Sequence, residues 1–179
     1  HTILVSDWSS DVCSSDLSFP AEPIVRFSPG TDSGTFDYFV EEVFDEDEAP
    51  ILAASNINFS EDDNVLQDGV ANNLYAIGYF GYAYVAENPG VVKVLGVDGV
   101  LPTAETVNGG TYPLARPLFI YTAASIFAEK PQVADFVTYY LNRVPEITPE
   151  VGYFLPNPYD FNAAKLILLA LKHQAMGGM

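Results

Sequence analysis

A turn-rich stretch that joins an apolar segment to an amphipathic one constrains the fold of this chain most strongly. Residues 23–27 are mostly apolar, and residues 29–35 are rich in glycine, proline and hydroxyl side chains. The apolar side chains that follow recur at helical spacing: Phe36, Phe39, Val40 and Val43. Because glycine and small hydroxyl residues favour turns and helix starts, the pattern predicts a strand, a tight turn and a helix that begins at Thr35 and ends near Phe44.

The turn before this helix offers chemistry that suits an oxyanion. Backbone N–H groups in the first turn of a helix lack internal partners and carry partial positive charge. Ser33 and Thr35 add two hydroxyl groups, and Gly34 lets the backbone approach a ligand closely. An ordinary helix start with Ser33 or Thr35 as N-cap explains the same residues, and the motif taken alone favours that simpler interpretation. Both interpretations stay open at this point.

The charge balance argues against several classes of partner. Lys and Arg number 7 against 24 Asp and Glu, which gives a net charge of -17. Such a chain would be repelled by a nucleic acid or by an anionic membrane surface, so neither is an expected partner. An anionic ligand would have to be held by local N–H dipoles and not by net charge. No apolar run approaches the ~20 residues of a membrane-spanning helix.

Metal and cofactor sites find little support in the sequence. Cys13 is the single cysteine, and His1 and His173 are the only histidines, so we expect neither an intramolecular disulfide nor a metal site built from these residue types. The acidic run at 45–48 lacks the alternating oxygen ligands and the glycine turn of a calcium loop, and it is interpreted as a solvated loop. We expect no metal and no cofactor.

Strand-like and helix-like segments alternate along the rest of the chain, which is typical of an α/β fold. Further helices are predicted from an N-cap at Ser60 to Asn72, from residue 81 to a stop signal at 88–90, from Pro131 onward, and from Phe161 to Ala175. Strands are predicted at 76–80, 91–95, 115–121 and 152–156. The aromatic side chains at 75–84 are expected to pack between strand and helix.

Residues 1–17 differ from the rest of the chain. They show neither helical nor strand periodicity, and residues 6–17 resemble the translation of a common sequencing adapter. We therefore expect residues 1–17 to be non-native and exclude them from the reasoning about the fold. The alternative is a genuine polar tail. If the segment is non-native, we expect the natural protein to extend upstream of it.

Several segments, in order and spacing, resemble the phosphate-binding proteins of ABC-type phosphate transporters, the PstS family. The matching segments cover nearly all of residues 20–160: 29–39, 60–64, 69–71, 76–84, 105–107, 110–121 and 151–153. The resemblance implies an α/β fold of the periplasmic-binding-protein-like type II, in which two lobes close on a ligand. Residues 18–115 would form the second lobe and residues 116–179 the hinge crossing and the C-terminal part, with the first lobe largely missing.

The same resemblance implies phosphate binding and no enzymatic activity. In the family, a Ser-Gly-Thr turn at a helix start binds phosphate oxygens, and these roles fall on Ser33, Gly34 and Thr35. The expected partners are inorganic phosphate and the membrane permease of an ABC transporter. The expected location is periplasmic or extracellular, with or without a lipid anchor.

This chain departs from the family at the arginine that pairs with the anion. Many members carry that arginine four residues before the serine, where this chain has Pro29. Arg26, three residues earlier, is a weaker candidate for the role, and Asp32 is a second weaker ligand candidate. Arg116 precedes a proline at the expected hinge crossing and is predicted to be structural. Without an identified arginine ligand, an oxyanion other than phosphate stays open.

Three alternatives to phosphate transport are considered: two enzymatic functions, which the sequence supports poorly, and one other binding function. Residues 32–35 match the short Asp-Ser-Gly-Thr signature of aspartic proteases, but that chemistry needs a second, facing Asp, and the chain has no second copy of the motif. A serine hydrolase built on Ser33 would lack a base, since His173 lies near the end of the last predicted helix. A non-transport domain that binds an oxyanion or a polyanion on the same fold stays an alternative.

Overall fold

A computed structural model describes residues 22–177 of the chain, and the segment 1–17 that is predicted to be non-native lies outside the described residues. The described part of the chain forms two compact units, one that ends at Leu101 and one that begins at Pro102. The predicted division between residues 115 and 116 concerns the lobes of a complete solute-binding fold, and it stays a prediction.

The first unit contains a sheet of three parallel strands: β1 (Val25–Pro29), β2 (Ile57–Ser60) and β3 (Ala76–Gly78). The strand order is β2-β1-β3, so β1 is central. Arg26 pairs with Ile57 on one side and with Ile77 on the other. Parallel neighbours require crossover connections, which helices supply here. The carboxyl ends of the three strands therefore lie at one edge of the sheet.

Helices connect the strands and form most of the regular structure of the second unit. In the first unit they are α1 (Gly34–Phe44), α2 (Ala49–Leu52), α3 (Asp63–Ala71) and α4 (Tyr82–Glu87). In the second unit they are α5 (Ala104–Asn108), α6 (Ala124–Glu129), α7 (Pro131–Glu150) and α8 (Pro158–Gly177). Among residues 22–177, no helix is both long enough and apolar enough to cross a membrane.

The core of the first unit includes one face of α1. Phe36 and Val40 are buried together with Ile51, and they have 1%, 6% and 0% of their surface exposed. Residues four apart on a helix share a face, so the apolar spacing predicted from the sequence is the spacing that the core uses. The helix ends at Asp45, whose φ of 50° places it in the left-handed conformation that helices often adopt at this point.

The second unit has its own core, formed by α6, α7 and α8. Its buried members are Phe127, Ala134, Val137, Leu168 and Ala175. The start of α7 at Pro131 is confirmed, and proline suits this position because its missing N–H would have no helical partner there. The amphipathic face predicted for this helix, Val133, Phe136, Val137, Tyr140 and Leu141, is buried only in part. Val133, Val137 and Leu141 belong to or pack against this core, whereas Phe136 and Tyr140 are 61% and 44% exposed.

Three predicted strands are wrong. Residues 91–95, 115–121 and 152–156 form no strand in the described structure. Their β-branched and aromatic composition fits a pleated strand, but a strand also needs a neighbour to bond its backbone. Within the described residues, strand pairing is limited to the three-stranded sheet and one isolated bridge, from Val97 to Val100.

The predicted start of α3 is corrected by the structure. Ser60 was expected to cap this helix, but it is the last residue of β2. Asp62 is the N-cap, and its carboxylate accepts a hydrogen bond from the Asn64 N–H at 2.9 Å. The Ser60 hydroxyl instead accepts from the Asp62 N–H at 3.1 Å. Both residue types suit a cap, and the parallel pairing of Ser60 with Pro29 decided between them.

Candidate anion-binding site

The glycine-rich turn lies at the carboxyl edge of the sheet, directly after the central strand. Pro29 pairs with Ser60, and the Gly30 N–H donates to the Ser60 carbonyl at 3.0 Å. The Ser33 N–H donates back to the Gly30 carbonyl at 3.0 Å and closes a four-residue turn. In open sheets of parallel strands, ligands commonly bind beyond this edge.

The turn delivers Ser33, one of the two N-cap candidates Ser33 and Thr35, as the N-cap of α1. Its backbone is extended, with φ -91° and ψ 127°, and its hydroxyl oxygen accepts a hydrogen bond from the Thr35 N–H at 3.2 Å. The Ser33 carbonyl accepts from the Asp37 N–H at 3.1 Å and so begins the helical ladder. The cap interpretation of Ser33 is therefore confirmed, and the cap leaves the hydroxyl proton available for another partner.

The first turn of α1 retains unpaired donors. Among the hydrogen bonds formed between residues 22 and 177, none satisfies the N–H of Gly34 or the N–H of Phe36. Gly34 is exposed, and Ser33 and Thr35 are half-buried, so this end of the helix is open to a ligand. Two free N–H groups, two hydroxyls and the positive end of the helix dipole can together hold a small oxyanion.

The two weaker candidates occupy different places. Asp32 lies in the turn and is exposed, and its N–H donates to the Glu61 carboxylate at 3.3 Å. Arg26 is buried on β1, and its guanidinium donates to the Ser55 carbonyl at 2.8 Å. Ser55 precedes β2, so this contact lies toward the amino edge of the sheet, whereas Ser33 lies at the carboxyl edge. The structure therefore brings Asp32 to the turn and does not bring the Arg26 guanidinium to it.

An aromatic contact supports α1 from the sheet. Tyr79 follows β3, and its ring stacks on Phe39 of α1 with 3.9 Å between centroids and 18° between planes. The Tyr79 hydroxyl lies 2.7 Å from the hydroxyl of Ser28, whose side chain is fully buried on β1. Burial raises the pKa of the Tyr79 phenol to about 12, although the Ser28 hydrogen bond opposes the shift. Packing between strand and helix, the role predicted for these aromatics, is confirmed for Tyr79.

The Asp63 carboxyl group, at the same edge of the sheet, also has a shifted pKa. Asp63 begins α3, and its carboxylate accepts from the Gly81 N–H at 3.4 Å. Desolvation by burial raises the pKa of Asp63, the Gly81 hydrogen bond opposes this, and the neighbouring Asp62 charge adds to it. No sequence motif predicted this contact beyond the helix start itself.

Other surface features near α1 suit an anion poorly. An open cavity beside α1 is lined by two apolar side chains and four carboxylates, namely Phe36, Val40, Asp37, Glu41, Glu46 and Glu48. Four acidic groups would repel phosphate or sulfate. In the part of the chain that the structure describes, no group of three His, Cys, Asp or Glu side chains is arranged to hold a metal ion.

Comparison with known protein families identifies the fold. A family model described as a PBP superfamily domain matches residues 2–144. The chain belongs to the PBP superfamily. The predicted α/β architecture is thereby confirmed, and the relatives named PstS confirm the predicted likeness to that family.

Relatives of this PBP-superfamily chain include proteins named for phosphate. The protein SphX of Synechocystis sp. is 42% identical over 154 residues, which cover 83% of this chain and 45% of SphX. The phosphate-binding protein PstS of Staphylococcus haemolyticus is 32% identical over 141 residues, which cover 76% of this chain and 43% of PstS. The PBP-superfamily chain thus spans less than half the length of these relatives.

Two solved structures also resemble this chain, and both come from proteins named for phosphate. A "possible phosphate binding protein" from Planctomyces limnophilus superposes with a TM-score of 0.71 at 34% identity, covering 91% of this chain and 59% of that one. An ABC-type phosphate transport receptor from Vibrio cholerae superposes with a TM-score of 0.56 at 19% identity, covering 75% of this chain and 54% of that one. The second likeness concerns the fold alone.

Proposed function

We propose that this chain binds inorganic phosphate at the turn formed by Ser33, Gly34 and Thr35, as part of a solute-binding protein that delivers phosphate to an ABC-type importer. The observation that carries the proposal is the open first turn of α1, where the N–H groups of Gly34 and Phe36 have no acceptor among the described residues. The family membership and the names of the PstS relative and of the Planctomyces limnophilus protein support phosphate as the anion.

The chemistry of the turn suits a tetrahedral oxyanion. The Ser33 hydroxyl accepts from the Thr35 N–H through its oxygen, so its proton is free to donate to a phosphate oxygen. The Thr35 hydroxyl and the two free N–H groups supply further donors. Because these donors are local dipoles and not charged side chains, they can act in a chain with a net charge of -17.

Two further residues belong to the proposed site with less support. Asp32 is exposed and directly precedes Ser33 in the chain, so we retain it as a weaker ligand candidate. The Arg26 guanidinium would have to leave the Ser55 carbonyl, which it contacts at 2.8 Å, before it could pair with an anion. We rank both below the Ser-Gly-Thr turn for this reason.

The remaining parts of the proposal follow from the family. The partner would be the membrane permease of the transporter, and the location would be periplasmic or extracellular. The chain would have a binding role and not a catalytic one, as the names of its relatives indicate.

Isothermal titration calorimetry with phosphate and with sulfate, on the gene product that carries this chain, tests the proposal. We expect tight binding of phosphate, and we expect Ser33→Ala and Thr35→Ala each to weaken it by roughly 1–3 kcal/mol, because each leaves an anion oxygen without a donor. Ser125→Ala, which removes an exposed hydroxyl from α6, is the matched control. Unchanged affinity in both turn variants would disprove the site, and a preference for sulfate would disprove the ligand.

A further inference from the structure

The loop after β2 places a carboxylate directly against the phosphate turn, the turn from Gly30 to Ser33 that leads into the proposed phosphate site. Glu61 follows Ser60, the residue whose carbonyl accepts from Gly30. One oxygen of its carboxylate accepts from the Asp32 N–H at 3.3 Å, across a sequence separation of 29 residues. The same oxygen lies so close to Gly30 that a Cβ built on Gly30 would overlap it. This contact between two loops was not predicted from the sequence.

We propose that Glu61 is a positioning residue for the phosphate turn: its carboxylate holds the Asp32 N–H and thereby fixes the orientation of the peptides that present Ser33 and Gly34. The inference rests on the proposed function of that turn. It concerns a residue that touches the turn backbone and is not itself proposed as a phosphate ligand.

Three hydrogen bonds explain how Glu61 could act. The turn is held at its start by Gly30 N–H to Ser60, at its end by Ser33 N–H to the Gly30 carbonyl, and in its middle by Asp32 N–H to Glu61. The first two bonds leave the central peptide of the turn free to rotate. The third fixes that peptide, so the cost of ordering the turn is met before a ligand arrives.

The carboxylate also carries a negative charge, which opposes binding of an anion. Glu61 is exposed, so water and salt screen this repulsion. The hydrogen-bond acceptor and the charge therefore have opposite effects on phosphate affinity, and they can be separated by substitution. Glu61→Gln keeps an acceptor and removes the charge, whereas Glu61→Ala removes both.

Gly30 offers an independent way to displace the carboxylate. No positive φ is recorded for Gly30, so alanine is compatible with its backbone. The new Cβ would overlap the end of the flexible Glu61 side chain, which can swing away. Gly30→Ala should therefore reproduce the effect of Glu61→Ala, and the double variant should bind phosphate no more weakly than either single variant.

The first measurement is amide hydrogen exchange in the 179-residue chain without phosphate. We expect the Asp32 amide to exchange at least about threefold faster in Glu61→Ala and in Gly30→Ala than in the parent, with protection retained in Glu61→Gln. Glu87→Ala removes an exposed carboxylate from the end of α4 and serves as control. An unchanged Asp32 exchange rate in Glu61→Ala would overturn the inference, regardless of the phosphate affinity of that variant.

The second measurement is phosphate affinity of the gene product by calorimetry. We expect Glu61→Ala and Gly30→Ala to weaken binding about fivefold, and Glu61→Gln to bind as tightly as the parent or a few-fold more tightly. Equal weakening in Glu61→Gln and Glu61→Ala, or tighter binding in Glu61→Ala, would overturn the positioning role. A parent protein that binds no phosphate would refute the proposed function and the ligand part of this inference, while the exchange data would still judge the turn contact separately.

Discussion

Replacing Ser33 by alanine and by glycine separates the two roles of its side chain. The Ser33 hydroxyl caps α1 by accepting from the Thr35 N–H at 3.2 Å, and in the proposed function it also donates to phosphate. Alanine at an N-cap costs about 1 kcal/mol of stability, whereas glycine costs only a few tenths. Both substitutions remove the same hydroxyl group, the one that would donate to the ligand. We therefore expect different losses of stability and equal losses of phosphate affinity.

The magnitude of the affinity loss follows from the geometry of the turn. The Ser33 hydroxyl is one of about four donors there, with the Thr35 hydroxyl and the free N–H groups of Gly34 and Phe36. Losing this one hydrogen bond to the anion would cost about 1–3 kcal/mol, or roughly a fivefold to hundredfold change in the dissociation constant. Calorimetry measures this change, and urea unfolding followed by circular dichroism measures stability.

A matched control and a clear refutation complete this experiment. Thr103 caps α5 and accepts from the Thr106 N–H at 3.2 Å, so Thr103→Ala removes a similar cap from the second unit. We expect it to lower stability and to leave phosphate affinity unchanged. If Ser33→Gly binds phosphate as tightly as the parent while Ser33→Ala does not, then Ser33 acts through helix stability, and the proposed contact with the ligand is wrong.

Three further predictions concern the unit that carries the turn. The pKa of Tyr79 is raised to about 12, against 10.0 in the unfolded chain, so the folded state favours the neutral phenol. The stability that this preference contributes is complete below pH 10 and is lost as the pH rises to 12. Tyr79→Phe should abolish this loss, which we put at about 1–2 kcal/mol after solvent screening, and should remove one late phenol from the absorbance titration. The pKa of Asp63 is also raised, so the folded state disfavours its charge; Asp63→Asn should unfold at a higher urea concentration than the parent at pH 7, with the difference disappearing below pH 4. A lower midpoint at pH 7 would contradict the direction of that shift. Leu66 is 0% exposed on α3 and Val65 is 54% exposed beside it, so Leu66→Ala should lower the free energy of unfolding by about 2–5 kcal/mol and Val65→Ala by less than about 1 kcal/mol.

Sequence reasoning was most successful where structure depends on neighbouring residues. A helix satisfies its backbone within itself, so its start and its apolar face are encoded within a few positions. Ser33 as the cap of α1, the burial of Phe36 and Val40, and Pro131 at the start of α7 were all predicted in this way. The Ser-Gly-Thr candidate site was found for the same reason, because a helix start and its free N–H groups are local features.

Sequence reasoning failed where a segment depends on a distant partner. The segment at 115–121 has strand composition, but a strand exists only if another strand bonds it, and the described residues supply none. The prediction of Ser60 as a cap failed because pairing with Pro29, distant in sequence, placed Ser60 in β2.

The sequence by itself therefore indicated the helices α1, α3, α4, α7 and α8, the α/β class and the turn that we propose as the anion site. Only the tertiary structure decided what surrounds that turn. Parallel pairing of β1 with β2 brings Glu61 onto Gly30 and directs the Arg26 guanidinium to Ser55, toward the other edge of the sheet. These contacts join residues 29 or more positions apart, and no periodicity or local motif encodes them, because they arise only when the strands pair in one register.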